Sequence, residues 1–148
     1  MKQSFDKILP RFIGQTIAVW GVTFKGGTED VRESPALELI TLLLNEGAEV
    51  NAYDPSFAPN APERVRERLK PTALDAAAGA DALAILTDWH EFQEVPLAEV
   101  RATMRGDVLF DGRNVLSREK AEYAGFVYIG VGRGRPTSPA AGRSVVAA

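Results

Sequence analysis

The sequence contains no cysteine and only one histidine among its 148 residues. Without cysteine the chain can form no disulfide, no thiolate metal site and no cysteine nucleophile. One histidine is too few for a multi-histidine metal site, and it makes a Ser–His–Asp triad hard to build. We therefore expect neither a metal site nor a catalytic residue of these kinds within this chain.

Long apolar runs and an excess of either charge are also missing. No run approaches the roughly 20 residues that a membrane-spanning helix needs, and residues 1–7 lack the apolar region of a secretion signal. Seventeen Lys and Arg stand against twenty Asp and Glu, for a net charge of −3. This balance argues against a nucleic-acid or membrane partner, and a cytoplasmic location is expected.

Short apolar segments alternate with helical segments along most of the chain. The predicted strands cover residues 16–20, 48–54, 81–87, 107–111 and 126–129. The predicted helices cover residues 35–46, 63–69, 74–78 and 97–104, with a last one that opens at Ser117. Strands separated by helices at this spacing form βαβ units with right-handed crossovers. The sequence therefore predicts a three-layer α/β/α Rossmann-like domain with a parallel sheet of about five strands.

The segments outside these elements set the domain limits. We expect a lead-in over residues 1–15, the α/β domain over 16–132, and a flexible tail over 133–148, where Gly, Pro, Ser, Ala and Arg follow no periodicity. The helix over residues 35–46 has apolar side chains on more than one face. Either it lies deep in the core of its own domain, or a missing neighbour normally covers it.

Ligands of open parallel sheets bind beyond the carboxyl ends of the strands, where the strand order reverses. The loop after the first strand begins at Gly21 but matches neither common phosphate motif. Gly27 stands where a P-loop has its lysine, and the Gly-x-Gly-x-x-Gly dinucleotide fingerprint is absent. Asp54 ends the second strand, where a Rossmann domain has its ribose-binding acid, but this is weak evidence without that fingerprint.

Three cations are predicted near this edge of the sheet. Lys25 and Arg32 belong to the first loop, and Arg113 follows the fourth strand. A lysine point charge and a planar arginine fork suit a pyrophosphate. The alternative is that they form ordinary surface pairs with nearby acids, which would contribute little. Composition and spacing leave both interpretations open.

Several segments occur together in an order that is typical of one family. They are Phe24-Lys25-x-x-Thr28-x-Asp30-x-Arg32-Glu33-Ser34-Pro35-Ala36, Gly47-Ala48-x-Val50, Tyr53-Asp54-Pro55, Ala80-Asp81-Ala82, Ile85-Leu86-Thr87-x-Trp89-x-x-Phe92, Asp111-Gly112-Arg113-Asn114 and Gly125-Phe126-x-Tyr128-x-Gly130-x-Gly132-Arg133. Together they resemble the C-terminal, UDP-sugar-binding domain of the UDP-glucose/GDP-mannose dehydrogenase family, and most of all its bacterial UDP-glucose 6-dehydrogenase branch. The resemblance extends over residues 14–133.

The resemblance implies a role for each matching position. Phe24, Lys25 and Arg113 would contact the UDP-sugar, with Lys25 near the phosphates or the sugar hydroxyls. Arg32 would reach towards NAD, which the family binds mainly through its N-terminal domain. The sheet order would be 3-2-1-4-5. Gly26-Gly27 replaces bulkier residues of the relatives, which suggests a more mobile loop.

The resemblance also implies what this chain does not contain. The family's NAD fingerprint and its catalytic cysteine, lysine and asparagine lie outside the matching segment, so the chain alone is expected to be inactive. It would work with an NAD-binding and helical domain, from the same enzyme or a separately encoded partner, and a homodimer is possible. Two alternatives are a non-catalytic interaction module with a vestigial nucleotide site, and an autonomous NAD-binding regulator. The missing glycine fingerprint disfavours the second.

Overall fold

The computed structural model describes residues 12–131, whose centre is a parallel sheet of five strands in the order β2-β1-β3-β4-β5. The strands are β1 (Thr16–Trp20), β2 (Glu49–Tyr53), β3 (Ala82–Ile85), β4 (Val108–Asp111) and β5 (Val127–Gly130). The helices are α1 (Pro35–Asn45), α2 (Glu63–Arg66), α3 (Ala73–Ala77), α4 (Leu97–Thr103) and α5 (Arg118–Tyr123), with a 3₁₀ turn at His90–Gln93. The predicted parallel α/β sheet is confirmed.

Both faces of the sheet are buried, which explains why its strands are apolar without interruption. Successive side chains of a strand point to opposite faces, so Ile17 and Val19 enter one hydrophobic core and Ala18 and Trp20 enter the other. Helix α1 covers the first core, and α3, α4 and α5 cover the second. The chain therefore forms the three layers that the sequence predicts.

Local sequence signals fix the ends of α1. The Ser34 hydroxyl accepts a hydrogen bond from Leu37 N at 3.1 Å, and Pro35 occupies the first turn, where no N–H is needed. Gly47 follows the helix with φ of 92°, a conformation that favours glycine. The buried side chains of α1 lie in the core of this domain, and they are Ala36, Leu39, Ile40, Leu43 and Leu44. Burial of these residues favours the first of the two interpretations, a helix covered by its own domain.

The expected strand order 3-2-1-4-5 is wrong, because the third strand of the chain, β3, pairs with β1 and not with β2. The outer side of β2 is met by a one-residue bridge from the segment between β2 and β3. Ala52 of β2 pairs with Leu69 in parallel, through bonds from Ala52 N to Arg68 O and from Lys70 N to Ala52 O. A full strand there would have taken the third place in the chain and the outermost place in the sheet. This pairing also ends α2 at Arg66, three residues before the predicted end at residue 69.

Two further expectations concern the chain as a whole. Within residues 12–131 no helix has the length and hydropathy needed to cross a membrane. The predicted tail over residues 133–148 and most of the predicted lead-in lie outside the described residues. The proposed domain limits of 16 and 132 stay a prediction, although β1 begins at Thr16 and β5 ends at Gly130.

Candidate functional site

The carboxyl edge of the sheet contains the crevice where ligands of such folds bind. The chain leaves β1 towards α1, which packs on one face, and leaves β3 towards α4, whose Val100 packs on the other. Because β1 and β3 are neighbours, their following loops diverge and form the switch point of the sheet. Side chains presented by these two loops, and by the loop after β4, line the candidate site.

Asp54 fills the place at which a dinucleotide-binding domain holds phosphate. Its carboxylate is fully buried, and Oδ2 accepts hydrogen bonds from Val22 N at 2.8 Å and Thr23 N at 3.1 Å. Oδ1 accepts from Ser56 N at 2.9 Å and Ser56 Oγ at 2.6 Å. The backbone N–H groups that follow β1 could otherwise bind an anion. In this domain an internal carboxylate already occupies them.

Asp111 has a similar structural role after β4, where it shapes the loop that presents Arg113. Its buried carboxylate accepts hydrogen bonds from Val115 N at 2.9 Å, Leu116 N at 2.8 Å and the Tyr128 hydroxyl at 2.8 Å. These bonds fold residues 112–116 into a tight turn. Arg113 lies on the outer side of that turn, with its side chain 34% exposed.

The loop after β1 is built from short local hydrogen bonds. Thr28 Oγ1 accepts from Asp30 N at 3.1 Å, and Asp30 Oδ1 accepts from Arg32 N at 2.9 Å. Phe24 N donates to Asp30 O at 2.7 Å and closes the loop on itself. Ser34 donates to Val22 O at 2.9 Å while it caps α1. These bonds explain why Thr, Asp and Ser recur at every second or fourth position of this segment.

Asp88, in the loop after β3, joins this first loop to Arg113. Its Oδ1 accepts a hydrogen bond from Gly26 N at 2.7 Å, and its Oδ2 lies 3.4 Å from a terminal nitrogen of Arg113. The Gly26 N–H bond, followed by the positive charges of Arg113 and Lys25, lowers the pKa of Asp88, while desolvation acts in the opposite direction. Asp88 therefore links Arg113 to the backbone of the loop that carries Lys25, at the same edge of the sheet.

The approach of the two loops leaves no room for a side chain at Gly26. A Cβ atom there would lie 2.8 Å from the carbonyl oxygen of Asp88 and 2.9 Å from Trp89 Cα. Trp89 Nε1 also donates to Thr23 Oγ1 at 3.1 Å. The prediction that Gly26-Gly27 makes the loop more mobile stays untested. What the structure does show is that glycine at position 26 allows close contact with the neighbouring loop.

The other two predicted site residues lie farther along the first loop. Phe24 is 43% exposed, and it lines a cleft of about 470 Å³ together with Asp30, Arg32 and Glu33. Arg32 makes a bidentate ion pair with Asp30, with contacts of 3.0 and 2.9 Å. For Arg32 the structure thus shows the surface pair that the sequence left as an alternative. That pair holds the pKa of Asp30 down at about 2.

Sequence reasoning placed Asp88 at the edge but assigned it no role. It also missed the hydrogen bond from the Tyr53 hydroxyl to Glu91 Oε2, which ties the end of β2 to the 3₁₀ turn. Burial, followed by this bond to Glu91, raises the pKa of Tyr53. The available signal was that two acidic residues, Asp88 and Glu91, follow the strand predicted over residues 81–87. Their partners, however, are distant in the chain.

The single histidine and the first tryptophan of the chain show no arrangement that indicates catalysis. His90 is exposed and lies 3.4 Å from Glu94. Trp20 is fully buried, and its Nε1 donates to Ala73 O at 3.1 Å, so it anchors the core. Among residues 12–131 there is no cluster of three or more His, Asp or Glu that could hold a metal ion.

A family model and curated relatives place the chain in the same family. Residues 18–118 match the model of the UDP-glucose/GDP-mannose dehydrogenase family, UDP binding domain. The chain is 40% identical over 132 residues to a UDP-glucose 6-dehydrogenase of Pseudomonas aeruginosa, covering 84% of this chain and 29% of the relative. It is 41% identical over 122 residues to UDP-glucose 6-dehydrogenase TuaD of Bacillus subtilis, covering 81% and 26%.

A solved structure shows the same fold. The UDP-D-ManNAc dehydrogenase of Pyrococcus horikoshii has a TM-score of 0.68 and 32% identity, over 90% of this chain and 29% of that one. The chain thus spans less than a third of the length of these relatives.

Proposed function

Since the chain belongs to the UDP-glucose/GDP-mannose dehydrogenase family, as its UDP binding domain, we propose that it binds the diphosphate of a UDP-sugar between Lys25 and Arg113. In the whole enzyme this domain would hold the nucleotide sugar while another domain performs the oxidation. The family match is to the UDP binding domain. An oxidation of a UDP-sugar by the whole enzyme is proposed.

The observation that carries the proposal is that Asp88 links the two loops that carry the cations. Arg113 reaches the Asp88 carboxylate at 3.4 Å, and the same carboxylate accepts a hydrogen bond from Gly26 N, next to Lys25. A diphosphate presents two anionic groups, and an arginine fork with a lysine point charge suits it. Arg113 is only partly exposed, so it is held near the site before a ligand arrives.

The arrangement of Asp54 bears on where NAD would bind. The N–H groups of Val22 and Thr23, which could cradle a pyrophosphate, are already bonded to the Asp54 carboxylate. This domain therefore does not fit a dinucleotide in the manner of a Rossmann fingerprint, which disfavours the autonomous NAD-binding regulator. We propose that NAD, as hydride acceptor, is bound mainly by another domain of the whole enzyme.

Arg32 is proposed to face that domain, and Phe24 to contact the UDP-sugar. Both line the same open cleft, and the Arg32 side chain is 87% exposed. An arginine already paired with Asp30 can exchange this weak surface pair for a phosphate or a partner carboxylate. A UDP-sugar contact for Phe24, an NAD contact for Arg32, a homodimer and a cytoplasmic location remain predictions.

Calorimetric titration of the 148-residue chain tests the proposed function. UDP and UDP-glucose are expected to bind, and NAD is expected to bind at least about tenfold more weakly, because its pyrophosphate finds no cradle after β1. Equal binding of UMP and UDP would show that the second phosphate is not recognised. Tight binding of NAD, or no binding of UDP, would contradict the proposal.

The alternative is a non-catalytic interaction module in which α1 contacts another chain. The structure gives it little support, since five of the eleven residues of α1 are buried in this domain. Light scattering distinguishes the two functions: a module that docks through an apolar surface would self-associate.

A further inference from the structure

We propose that Asp88 is a positioning residue, which holds the Lys25 loop against the neighbouring loop so that Lys25 and Arg113 face one diphosphate. This inference rests on the proposed function. It adds a residue that makes no contact with the ligand and acts through the backbone of Gly26. Asp88 is suited to the role because it lies in the loop after β3, between the loops that carry the two cations.

The two carboxylate oxygens of Asp88 have different partners of different strength. Oδ1 accepts from the Gly26 backbone at 2.7 Å, a short charge-assisted hydrogen bond. Oδ2 meets Arg113 at 3.4 Å, and both side chains are substantially exposed, at 47% and 34%. An exposed ion pair of that length contributes little. The bond to Gly26 is therefore the one that positions the loop.

Close packing at Gly26 supports the same role independently of charge. A side chain at this position would collide with the backbone of Asp88 and Trp89. The first loop also meets Trp89 through Thr23. Residues 23–26 thus contact residues 88–89 through two hydrogen bonds and the close approach at Gly26, and Lys25 belongs to this segment.

The charge of Asp88 works against the proposed ligand. A carboxylate next to Lys25 and Arg113 repels a diphosphate and competes with it for Arg113. Asparagine at this position keeps an oxygen for Gly26 N but removes the negative charge. Alanine removes both the charge and the hydrogen-bond acceptor. Comparison of the two variants therefore separates loop positioning from charge.

The test is the dissociation constant for UDP of the 148-residue chain and its variants. Asp88→Ala is expected to weaken UDP binding about fivefold or more, because the loop must be ordered on binding. Asp88→Asn is expected to bind UDP within about twofold of the wild type, or more tightly, since its amide oxygen still holds Gly26.

Two further variants keep the comparison specific. Gly26→Ala should resemble Asp88→Ala, because its methyl group forces the loops apart without any change in charge. Glu29→Ala removes an exposed carboxylate from the same loop and should behave like Asp88→Asn. Amide hydrogen exchange at residue 26 should be faster than in the wild type in Asp88→Ala and Gly26→Ala, and unchanged in Asp88→Asn and Glu29→Ala.

The outcomes are distinguishable. If the wild type binds UDP but alanine and asparagine at position 88 have equal effects, the positioning role is wrong and the proposed function stands. The same holds if Gly26→Ala binds UDP normally. If the wild type does not bind UDP, the proposed function fails and the positioning role fails with it.

Discussion

Replacement of Asp54 by alanine is expected to lower the free energy of unfolding by at least about 3 kcal/mol. The carboxylate is fully buried and satisfies the N–H groups of Val22, Thr23 and Ser56. Each buried donor left without an acceptor costs about 1–3 kcal/mol. Urea denaturation followed by circular dichroism measures the effect.

The matched control is Asp75→Ala, which removes an exposed aspartate from the first turn of α3. It is expected to cost less than about 1 kcal/mol, since only a favourable interaction with the helix dipole is lost. If Asp54→Ala costs no more than this control, the carboxylate does not organise the loop after β1. The explanation for the absence of a dinucleotide cradle would then be wrong.

Arg113→Ala is expected to weaken UDP binding by at least about tenfold, with little effect on folding. Hydrogen bonds to a charged group contribute about 1.5–3 kcal/mol, and a tenfold change in affinity corresponds to about 1.4 kcal/mol. Arg113→Lys should fall between the wild type and the alanine variant, because it keeps the charge but loses the planar fork. Calorimetric titration with UDP measures all three.

Arg105→Ala provides the control for net charge. Arg105 pairs with Asp81 at 2.7 Å next to the start of β3, on the amino edge of the sheet. Its removal changes the net charge as Arg113→Ala does, but leaves the carboxyl edge intact, so UDP binding should change less than about twofold. Similar losses in both variants would indicate a diffuse electrostatic effect instead of a site at Arg113.

Features with local causes could be predicted from the sequence. The apolar run at Thr16–Trp20 indicates a strand buried on both faces, and the structure places it inside the sheet, between β2 and β3. The Ser34-Pro35 pair predicts the start of α1 and Gly47 its end. Strand identity and helix caps depend on residues that are neighbours in the chain, which is why pattern alone was sufficient.

Features that depend on distant pairs could not be predicted in this way. The pairing of β3 with β1 instead of β2 decides the strand order, and nothing in these segments signals it. The acid at the end of β2 resembles a ribose ligand, yet Asp54 turns inward to the backbone of Val22 and Thr23. Asp88 contacts residues 62 and 25 positions away. Such contacts follow from the packing of the loops in three dimensions.

The family resemblance supplied the candidate site residues, and the structure shows how they are arranged. Asp88 bonds to Gly26, next to Lys25, and pairs with Arg113, so the loops that carry the two cations meet at one edge. Arg32 is paired with Asp30 instead, on the more exposed part of the loop. This division agrees with the proposal that one set of residues contacts the UDP-sugar and another faces a further domain; the chain covers 29% and 26% of two relatives.

The most direct test of a diphosphate site at the carboxyl edge is a ¹H–¹⁵N correlation spectrum of the 148-residue chain, recorded as UDP is added. The proposed site predicts that the largest shifts occur at the amides of residues 23–27, 88–89 and 112–114. Shifts centred on the amino edge around Asp81 and Arg105, or no shifts at high UDP concentration, would contradict it.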